Sequence, residues 1–220
     1  MSTSSLSLEK SNTISAPRGR APAGARRGQS FIEAMVAITV IVTSIASALA
    51  LVQASITASR ISGHQVVAAN LAREGLEVVR SFRDTNWLKS QSFQVGLVDA
   101  GGVKSMRPLL DLDGGVWTPS FAATSLSNAN AAVYLTPSGV FVQADSQPSG
   151  STVTPYTRVV SLQHICRETT TGVERIVGGA VTCLGSETLV GLAVISSVRH
   201  RGVSGNFQTL DIEERLYDWR

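Results

Sequence analysis

The sequence has few aromatic residues, few charged residues and only two cysteines. Of its 220 residues, 5% are aromatic and 16% are charged, whereas 43% are hydrophobic. So much apolar material with so little charge excludes an intrinsically disordered chain and is enough for one modest globular domain. The spacing of Cys166 and Cys183 is neither that of a zinc-binding pair nor that of a CxxC redox site.

The chain also lacks the short motifs of catalytic and nucleotide-binding sites. It contains no HExxH, GxSxG, Walker or GxGxxG pattern, and its three histidines, His64, His164 and His200, are far apart in the sequence. For each histidine we expect a surface position or a satisfied position in the core. We therefore predict that the protein is not an enzyme, and we expect no catalytic residue, cofactor or resident metal ion.

The basic charge is confined to the N-terminus. The formal net charge is +3, but five of the 19 Lys and Arg residues and only one of the 16 acidic residues precede Gln29. The remainder of the chain therefore has a formal net charge of −1. A nucleic-acid partner is not predicted, because nucleic-acid binding requires a basic surface on the folded domain.

One segment concentrates the hydrophobic residues. Ala34–Val52 contains no charge, and no charged residue occurs between Glu33 and Arg60. About 20 apolar residues in a helix cross the roughly 30 Å core of a bilayer, so this segment predicts a transmembrane helix. A buried helix of a soluble core is disfavoured because it would usually keep a polar face. The polar residues of the segment are hydroxyls that can hydrogen-bond back to the helix, namely Thr39, Thr43, Ser44 and Ser47.

Two conventional interpretations of this N-terminus are open. A secretory signal peptide would be cut after small residues, at Ala46-Ser47-Ala48 or at Ala48-Leu49-Ala50. An uncleaved signal anchor would keep the helix in the membrane. In both cases Arg26 and Arg27 would stay in the cytoplasm by the positive-inside rule. Either would make the protein a secreted or membrane-anchored binding or adhesion domain.

The third interpretation rests on the residues directly before the apolar run. The stretch ARRGQSFIEAMVAITVIV resembles the cleavage and methylation segment of type IV pilins and type II secretion pseudopilins. In that family a basic leader ends in glycine, and glutamate is the fifth residue of the mature protein. By this match residues 1–28 form a leader that ends in Gly28. Gln29 is then the first and Glu33 the fifth residue of the mature chain, and Ser30, Phe31 and Ile32 lie between them.

The resemblance implies how the protein is processed and where it goes. Prepilin peptidase would cleave after Gly28, and Gln29 would become N-methylated. The partners would be other pilin subunits, contacted through the N-terminal helix, and an assembly platform in the inner membrane. The protein would cross the cytoplasmic membrane once, with its C-terminal domain outside the cytoplasm, before it enters a pilus or pseudopilus. Because Gln29 replaces the usual phenylalanine and the leader is long, a minor pilin or pseudopilin is favoured.

Glu33 has a physical role that can be argued without the family. A carboxylate carried to the centre of a bilayer costs roughly 2.5 to 3.5 kcal/mol, so it requires a cationic partner. The new α-amino group of Gln29 on a neighbouring subunit would be such a partner. Alternatively, Glu33 lies among the lipid headgroups and stabilises the helix N-terminus through the helix dipole.

The helix is predicted to continue beyond the membrane. No proline occurs from Gln53 to Arg83. We divide this part into a transmembrane and assembly helix at 29–55 and a soluble continuation at 56–88, with a kink or melted turn at Ser62-Gly63. Apolar residues recur along the continuation at helical spacing, at Val67, Leu71, Gly75, Val78, Val79 and Phe82.

The rest of the chain predicts loops followed by an antiparallel sheet. Residues 89–131 are rich in Gly, Ser and Asn and are expected to be loop-like. Within them, DLDGG from Asp111 is favoured as a plain turn over a calcium loop, whose twelfth position would be Ala122 instead of glutamate. Residues 132–220 alternate as strands do, with candidates at Tyr134–Val142 as a hairpin, Tyr156–Ile165, Thr188–Val198 and Phe207–Trp219.

Two expectations complete the interpretation. The predicted fold class is α+β, a long N-terminal helix packed on a small antiparallel sheet, which is the architecture of pilins. Cys166 and Cys183 flank the loop between two strand candidates, and a domain outside the cytoplasm could oxidise them to a disulfide. Such a bridge would contribute about 3 kcal/mol by closing its loop. Two free buried thiols are the alternative.

Overall fold

The computed structural model describes residues 29–98, 105–122, 125–178, 181–202 and 205–218. Within these residues a long N-terminal helix packs on an antiparallel sheet of eight strands, so the predicted α+β fold class is confirmed. The elements are α1 (Gln29–Leu88), β1 (Ser105–Asp111), β2 (Val116–Ser120), a 3-10 turn (Ala129–Ala131), β3 (Ala132–Leu135), β4 (Phe141–Val142), β5 (Thr152–Glu168), β6 (Glu174–Gly178), β7 (Glu187–Arg201) and β8 (Phe207–Tyr217).

Helix α1 is continuous from Gln29 to Leu88. The melted turn expected at Ser62-Gly63 is therefore wrong. A glycine inside a helix costs only about 1 kcal/mol relative to alanine, and the long helix on both sides of Gly63 outweighs that cost because propagation of a formed helix is favourable. The chain divides into two compact units, of which one contains α1 up to Gln53 and the other extends from Ala54 to the C-terminus.

The sheet is organised around β5, its longest strand. One edge of β5 pairs with β7 between Tyr156 and Glu168. The other edge is shared in turn by β3, β1 and β6, which pair with residues 152–157, 160–161 and 163–167 of β5. β8 extends the sheet beyond β7, while β2 pairs with β1 and β4 with β3. All these pairs are antiparallel.

The core of the second unit lies between α1 and one face of this sheet. Successive side chains of a strand point to opposite faces, so alternate residues of β5, β7 and β8 meet the helix. The apolar residues in this layer form two clusters. The larger contains Leu76, Val79, Phe93, Leu97, Met106, Val160, Leu162, Leu192, Val194 and Leu216, and the smaller contains Ala68, Leu71, Ala72, Val133, Tyr156 and Val198.

The segment 89–131 is not simply loop-like, because it contains β1 and β2. Their strand signal is interrupted by two prolines, Pro108 and Pro119, which lie opposite each other in the ladder. Tertiary pairing forms these strands despite the weak local signal: β1 pairs with Ser161 and Val160 of β5. A completely buried Arg107 further anchors β1.

The other strand predictions agree with the structure at the level of elements. The hairpin expected at Tyr134–Val142 is confirmed, since Tyr134 pairs with Val142 around a turn that contains Gly139 at a φ of 82°. The remaining three candidates correspond to β5, β7 and β8. Trp219, the end of the last candidate, lies outside the described residues. Strand β6 was not expected, because it lies in the loop between the two cysteines.

The predicted disulfide is confirmed. Cys166 at the end of β5 is bonded to Cys183, with their Cα atoms 5.5 Å apart. The bridge closes the loop that carries β6, and β6 pairs with residues 163–167 of the central strand β5. The loop is therefore held to the sheet both covalently and by its ladder.

Candidate functional site

The N-terminal part of α1 exposes apolar side chains on every side. Every residue from Ser30 to Arg60 is exposed. Consecutive positions such as Val40, Ile41 and Val42 are all more than half exposed, although they point in directions about 100° apart. Among the described residues this is the helix long and apolar enough to span a membrane. A soluble helix would bury one such face.

The polar side chains of this stretch are satisfied within the helix itself. The hydroxyl of Thr39 donates to the carbonyl of Met35 at 2.8 Å, and that of Ser44 donates to the carbonyl of Val40 at 2.7 Å. Thr43 and Ser47 bond in the same way to carbonyls one turn earlier. The prediction that these hydroxyls bond back to the helix is confirmed. The four hydroxyls between Ala34 and Val52 are therefore paired within the helix, as a lipid environment requires.

The residues of the pilin-like motif occupy the first turns of this helix as far as they are described. Arg26, Arg27 and Gly28 lie outside the described residues. Gln29 is the first residue of α1, and Glu33 follows it by one turn. Phe31 and Ile32 are 67% and 66% exposed. Helical geometry thus places Glu33 about 6 Å along the axis from Gln29.

Burial along α1 begins only in the second unit. Ala68 is the first buried residue, and from there buried positions recur at helical spacing. Gly75 lies at the closest approach, because a Cβ atom there would be 2.6 Å from Ser196 Oγ and 3.0 Å from a methyl of Val160. The glycine is therefore required by the contact between helix and sheet, which is a packing role.

A buried polar network that sequence reasoning missed joins this part of α1 to the sheet. Arg158 on β5 is completely buried and donates to Glu74 Oε1 at 2.9 Å and to the carbonyl of Leu71 at 3.0 Å. Its Nε donates to Gln143 Oε1 at 2.9 Å. Burial lowers the pKa of the Arg158 guanidinium, and Glu74 opposes that effect. The only sign of this network in the sequence is a charged residue, Arg158, within an alternating strand, and the sequence does not reveal which residues Arg158 contacts.

A second cross-link explains a polar residue that interrupts the apolar face of β8. Leu210, Ile212 and Leu216 belong to the two core clusters or pack against them, on the face of β8 that meets the helix. Glu214 lies on the same face and pairs with Arg80, which also pairs with Glu77 one turn earlier. The charge within the apolar face is thus a contact to α1.

Polar side chains tie the end of α1 to the segment that follows it. Asn86 is buried and donates to the carbonyls of Phe93 and Val95 at 3.3 and 2.7 Å, so it holds that segment against the helix. Arg83 pairs with the adjacent Asp84 at 2.8 Å. The side chain of Trp87 is 47% exposed.

Two groups of side chains bear on ion binding. Asp111 ends β1, and in the turn between β1 and β2 its carbonyl accepts from the N–H of Gly115 and its carboxylate from the N–H of Asp113, so the turn expected there is present. The sulfurs of Cys166 and Cys183 lie within 4.8 Å of a Glu187 carboxylate oxygen, but sulfurs in a disulfide are not thiolate ligands. Glu187 moreover pairs with Arg175 at 2.7 Å.

Two of the three histidines come together in the fold, although they are far apart in the sequence. The rings of His64 on α1 and His200 on β7 are stacked, with centroids 5.6 Å apart, and His64 Nδ1 lies 2.8 Å from the hydroxyl of Tyr156 on β5. His164 is buried beside the pairing of β5 with β6. No nucleophile or carboxylate joins the two stacked rings in the contacts described, so the cluster is not a recognisable catalytic constellation.

We compared the chain with protein-family models, curated proteins and solved structures, and found no match in any of the three. The resemblance to pilins therefore rests on the residues between Arg26 and the apolar run, and the fold class rests on the structure.

Proposed function

We propose that this protein is a structural subunit of a type IV pilus or a type II secretion filament, as a minor pilin or pseudopilin. The observation that carries the proposal is the fully exposed apolar surface of α1, which begins at Phe31 and ends at Ile56. Such a surface is stable only in lipid or among other apolar helices. A filament subunit needs both environments in succession, first the membrane and then the bundle of helices in the filament.

The residues before the apolar surface support a processing step. Arg26 and Arg27 would hold the uncleaved N-terminus at the cytoplasmic face. Cleavage after Gly28 would remove these charges and create an amine at Gln29, one turn from Glu33. In a bundle of parallel helices, the carboxylate of one subunit would pair with the amine of its neighbour and would so set the axial register of the two helices.

The test of processing is the N-terminus of the mature protein. The full chain is expressed in a bacterium that has prepilin peptidase, and the intact mass and N-terminal peptide are measured by mass spectrometry. We expect a chain that begins at Gln29 and carries one added methyl group. A Gly28→Leu variant should remain uncleaved. A chain that begins at Leu49 or Leu51 would support a secretory signal, and an intact Met1 a signal anchor; either result contradicts the proposal.

Assembly is tested separately with Glu33→Ala. We expect this variant to be cleaved like the wild type but to be depleted from the sheared filament fraction, because the amine of the neighbouring subunit loses its partner. Glu77→Gln is the matched control, since it removes an exposed carboxylate from the same helix within the second unit. Equal incorporation of the Glu33→Ala and Glu77→Gln variants would contradict the role of Glu33 while leaving the processing result intact.

A further inference from the structure

Three rings from distant parts of the chain meet where α1 first contacts the sheet. We call His64, Tyr156 and His200 the ring clamp. The ring centroid of Tyr156 lies 5.9 Å from that of His64 and 5.9 Å from that of His200. The ring of Phe141 packs at a right angle to the ring of Tyr156. In the described part of α1 no residue before His64 except Ile61 is even partly buried. The clamp is therefore the first attachment of the helix to the domain.

His200 is held in an environment that suits only its neutral form. Its side chain is 3% exposed, and its Nδ1 has no hydrogen-bond partner among the described residues. A neutral ring can leave this nitrogen as a bare acceptor, whereas a protonated ring would have an N–H group without an acceptor. Burial lowers the pKa of His200 and the neighbouring His64 lowers it further, while a hydrogen bond with Gln208 raises it.

Within the part of the chain that the structure describes, no carboxylate is among the groups that contact the clamp. On α1 the nearest charged residue is the exposed Arg60, one turn before His64. β5 contributes Tyr156, β4 contributes the uncharged Phe141, and β8 contributes the uncharged Gln208. The arginines flanking His200 on β7 make contacts elsewhere, Arg199 with the carbonyl of Leu126 and Arg201 with that of Gly205. Protonation of both histidines would thus place two cations side by side without a counterion.

Protons can reach the clamp from solvent. A groove of about 690 Å³ lies between α1 and the strands β7 and β8, and His200 is part of its wall. The helix side of the groove consists of the small or uncharged residues Ser62, Gln65, Val66, Ala68 and Ala69. Besides the rings, this stretch contacts the sheet through Ala68, which belongs to the smaller cluster, and Val67, which packs against it.

We propose that the ring clamp is a pH-sensitive latch, which holds residues 61–69 of α1 on the sheet at neutral pH and releases them on acidification. The release would lengthen the part of α1 that has no contact with the sheet by about two turns. The inference depends only on contacts within the second unit and is therefore independent of the proposed function. In a filament subunit it would make the junction between the helix and the domain respond to the pH outside the cytoplasm.

The direction of the effect follows from proton linkage. His200 binds its proton less tightly when the latch is closed than when it is open, since its pKa is lowered from 6.5 in the closed state. Above pH 6.5 His200 is neutral in both the closed and the open state, so protonation does not favour opening of the latch. As the pH falls below 6.5, His200 takes up a proton in the open state while it is still neutral in the closed state. The opening constant then rises by up to tenfold per pH unit for one proton.

The test is hydrogen–deuterium exchange of the full chain in detergent micelles at pH 7.5 and pH 5.0, corrected for the intrinsic effect of pH on exchange. We expect the opening constant of residues 61–69 to rise about tenfold at pH 5.0, while peptides from residues 74–85 change much less. The His64→Gln and His200→Gln double variant should lose this difference. His164→Gln is the matched control, because it also removes a buried histidine but not one of the clamp.

Three results would overturn the inference. They are equal corrected exchange of residues 61–69 at the two pH values, the same tenfold rise in the double variant, and a His200 ring that titrates at or above pH 6.5 in the wild-type protein by NMR. The NMR titration needs no substitution, so it decides the matter even if the double variant does not fold.

Discussion

The two halves of α1 are built from the same kind of backbone but differ in what surrounds them. From Ser30 to Arg60 every side chain is exposed, and apolar residues cover the whole circumference. From Ala68 onward, buried positions recur on one face, and the charged residues Glu74 and Arg80 pair with arginine or glutamate of the sheet. A single continuous helix therefore has an exposed half and a half that packs on the sheet.

The difference shows that helix formation and helix placement have separate causes. Both halves form because helix-forming residues follow one another without proline. Only the second half has an amphipathic pattern, and only there does specific packing decide which residue is tolerated. In the first half we expect apolar character to matter more than the identity of any one side chain, because lipid is a uniform environment. Four sets of substitutions test this contrast.

The largest effect is expected for Arg158→Ala. It leaves the Glu74 carboxylate, the Gln143 amide oxygen and the Leu71 carbonyl without their common donor, and loss of one partner from a buried ion pair costs about 3 to 5 kcal/mol. Denaturant unfolding of the full chain in detergent, followed by circular dichroism, measures it. Arg60→Ala, on the exposed half, should change the free energy of unfolding by less than about 0.5 kcal/mol. Similar losses for both variants would contradict the division of α1 into two halves.

Val42→Lys and Val66→Lys separate membrane insertion from folding. Both valines are 57% exposed, but only Val42 belongs to the uncharged run. A lysine near the centre of a spanning helix costs about 2.5 to 3.5 kcal/mol, so Val42→Lys should lower the fraction of protein that resists carbonate extraction from membranes. Val66→Lys should leave that fraction unchanged. Loss of membrane integration in both variants would mean that the spanning segment extends beyond Arg60.

Substitution of two glycines by alanine should give changes of opposite sign. Gly75→Ala forces Ser196 and Val160 to move, and we expect a loss of about 1 to 3 kcal/mol in the free energy of unfolding. Gly63→Ala meets no atom within 4 Å and should stabilise the helix by up to about 1 kcal/mol. Thermal unfolding monitored by circular dichroism compares the two. A stabilising Gly75→Ala would show that helix and sheet do not approach each other this closely.

The smallest effect is expected for the pair of Arg80 and Glu214. Their side chains are 36% and 27% exposed, so solvent screens the attraction. A double-mutant cycle with alanine at both positions should give a coupling energy of about 0.5 kcal/mol, which decreases at high salt. The pair of Arg215 and Glu213, 3.6 Å apart and about half exposed, is the control and should show almost no coupling. A larger coupling in the control would contradict the role assigned to Arg80.

Prediction from sequence succeeded where the signal was local. The apolar run, the strands β5, β7 and β8, and the turn at Asp111 each follow from residues close together in the chain. Prediction failed for β1, because Pro108 and the buried Arg107 obscure its alternation and its pairing partner on β5 is about fifty residues away. It also failed for His64 and His200, since nothing in a sequence shows that two single histidines on different elements will stack.

The sequence by itself therefore determined the long helix, the strands β5, β7 and β8, the apolar run that is long enough to span a membrane, and where the basic charge and the pilin-like motif lie. These properties depend on periodicity and composition, which are encoded within a few turns of chain. Only the tertiary structure decided that Gly75 faces Ser196, that Arg158 joins the helix to the sheet, and that His64, Tyr156 and His200 meet at the start of the contact. Such contacts depend on the register between distant elements, and register is set when the whole core packs together.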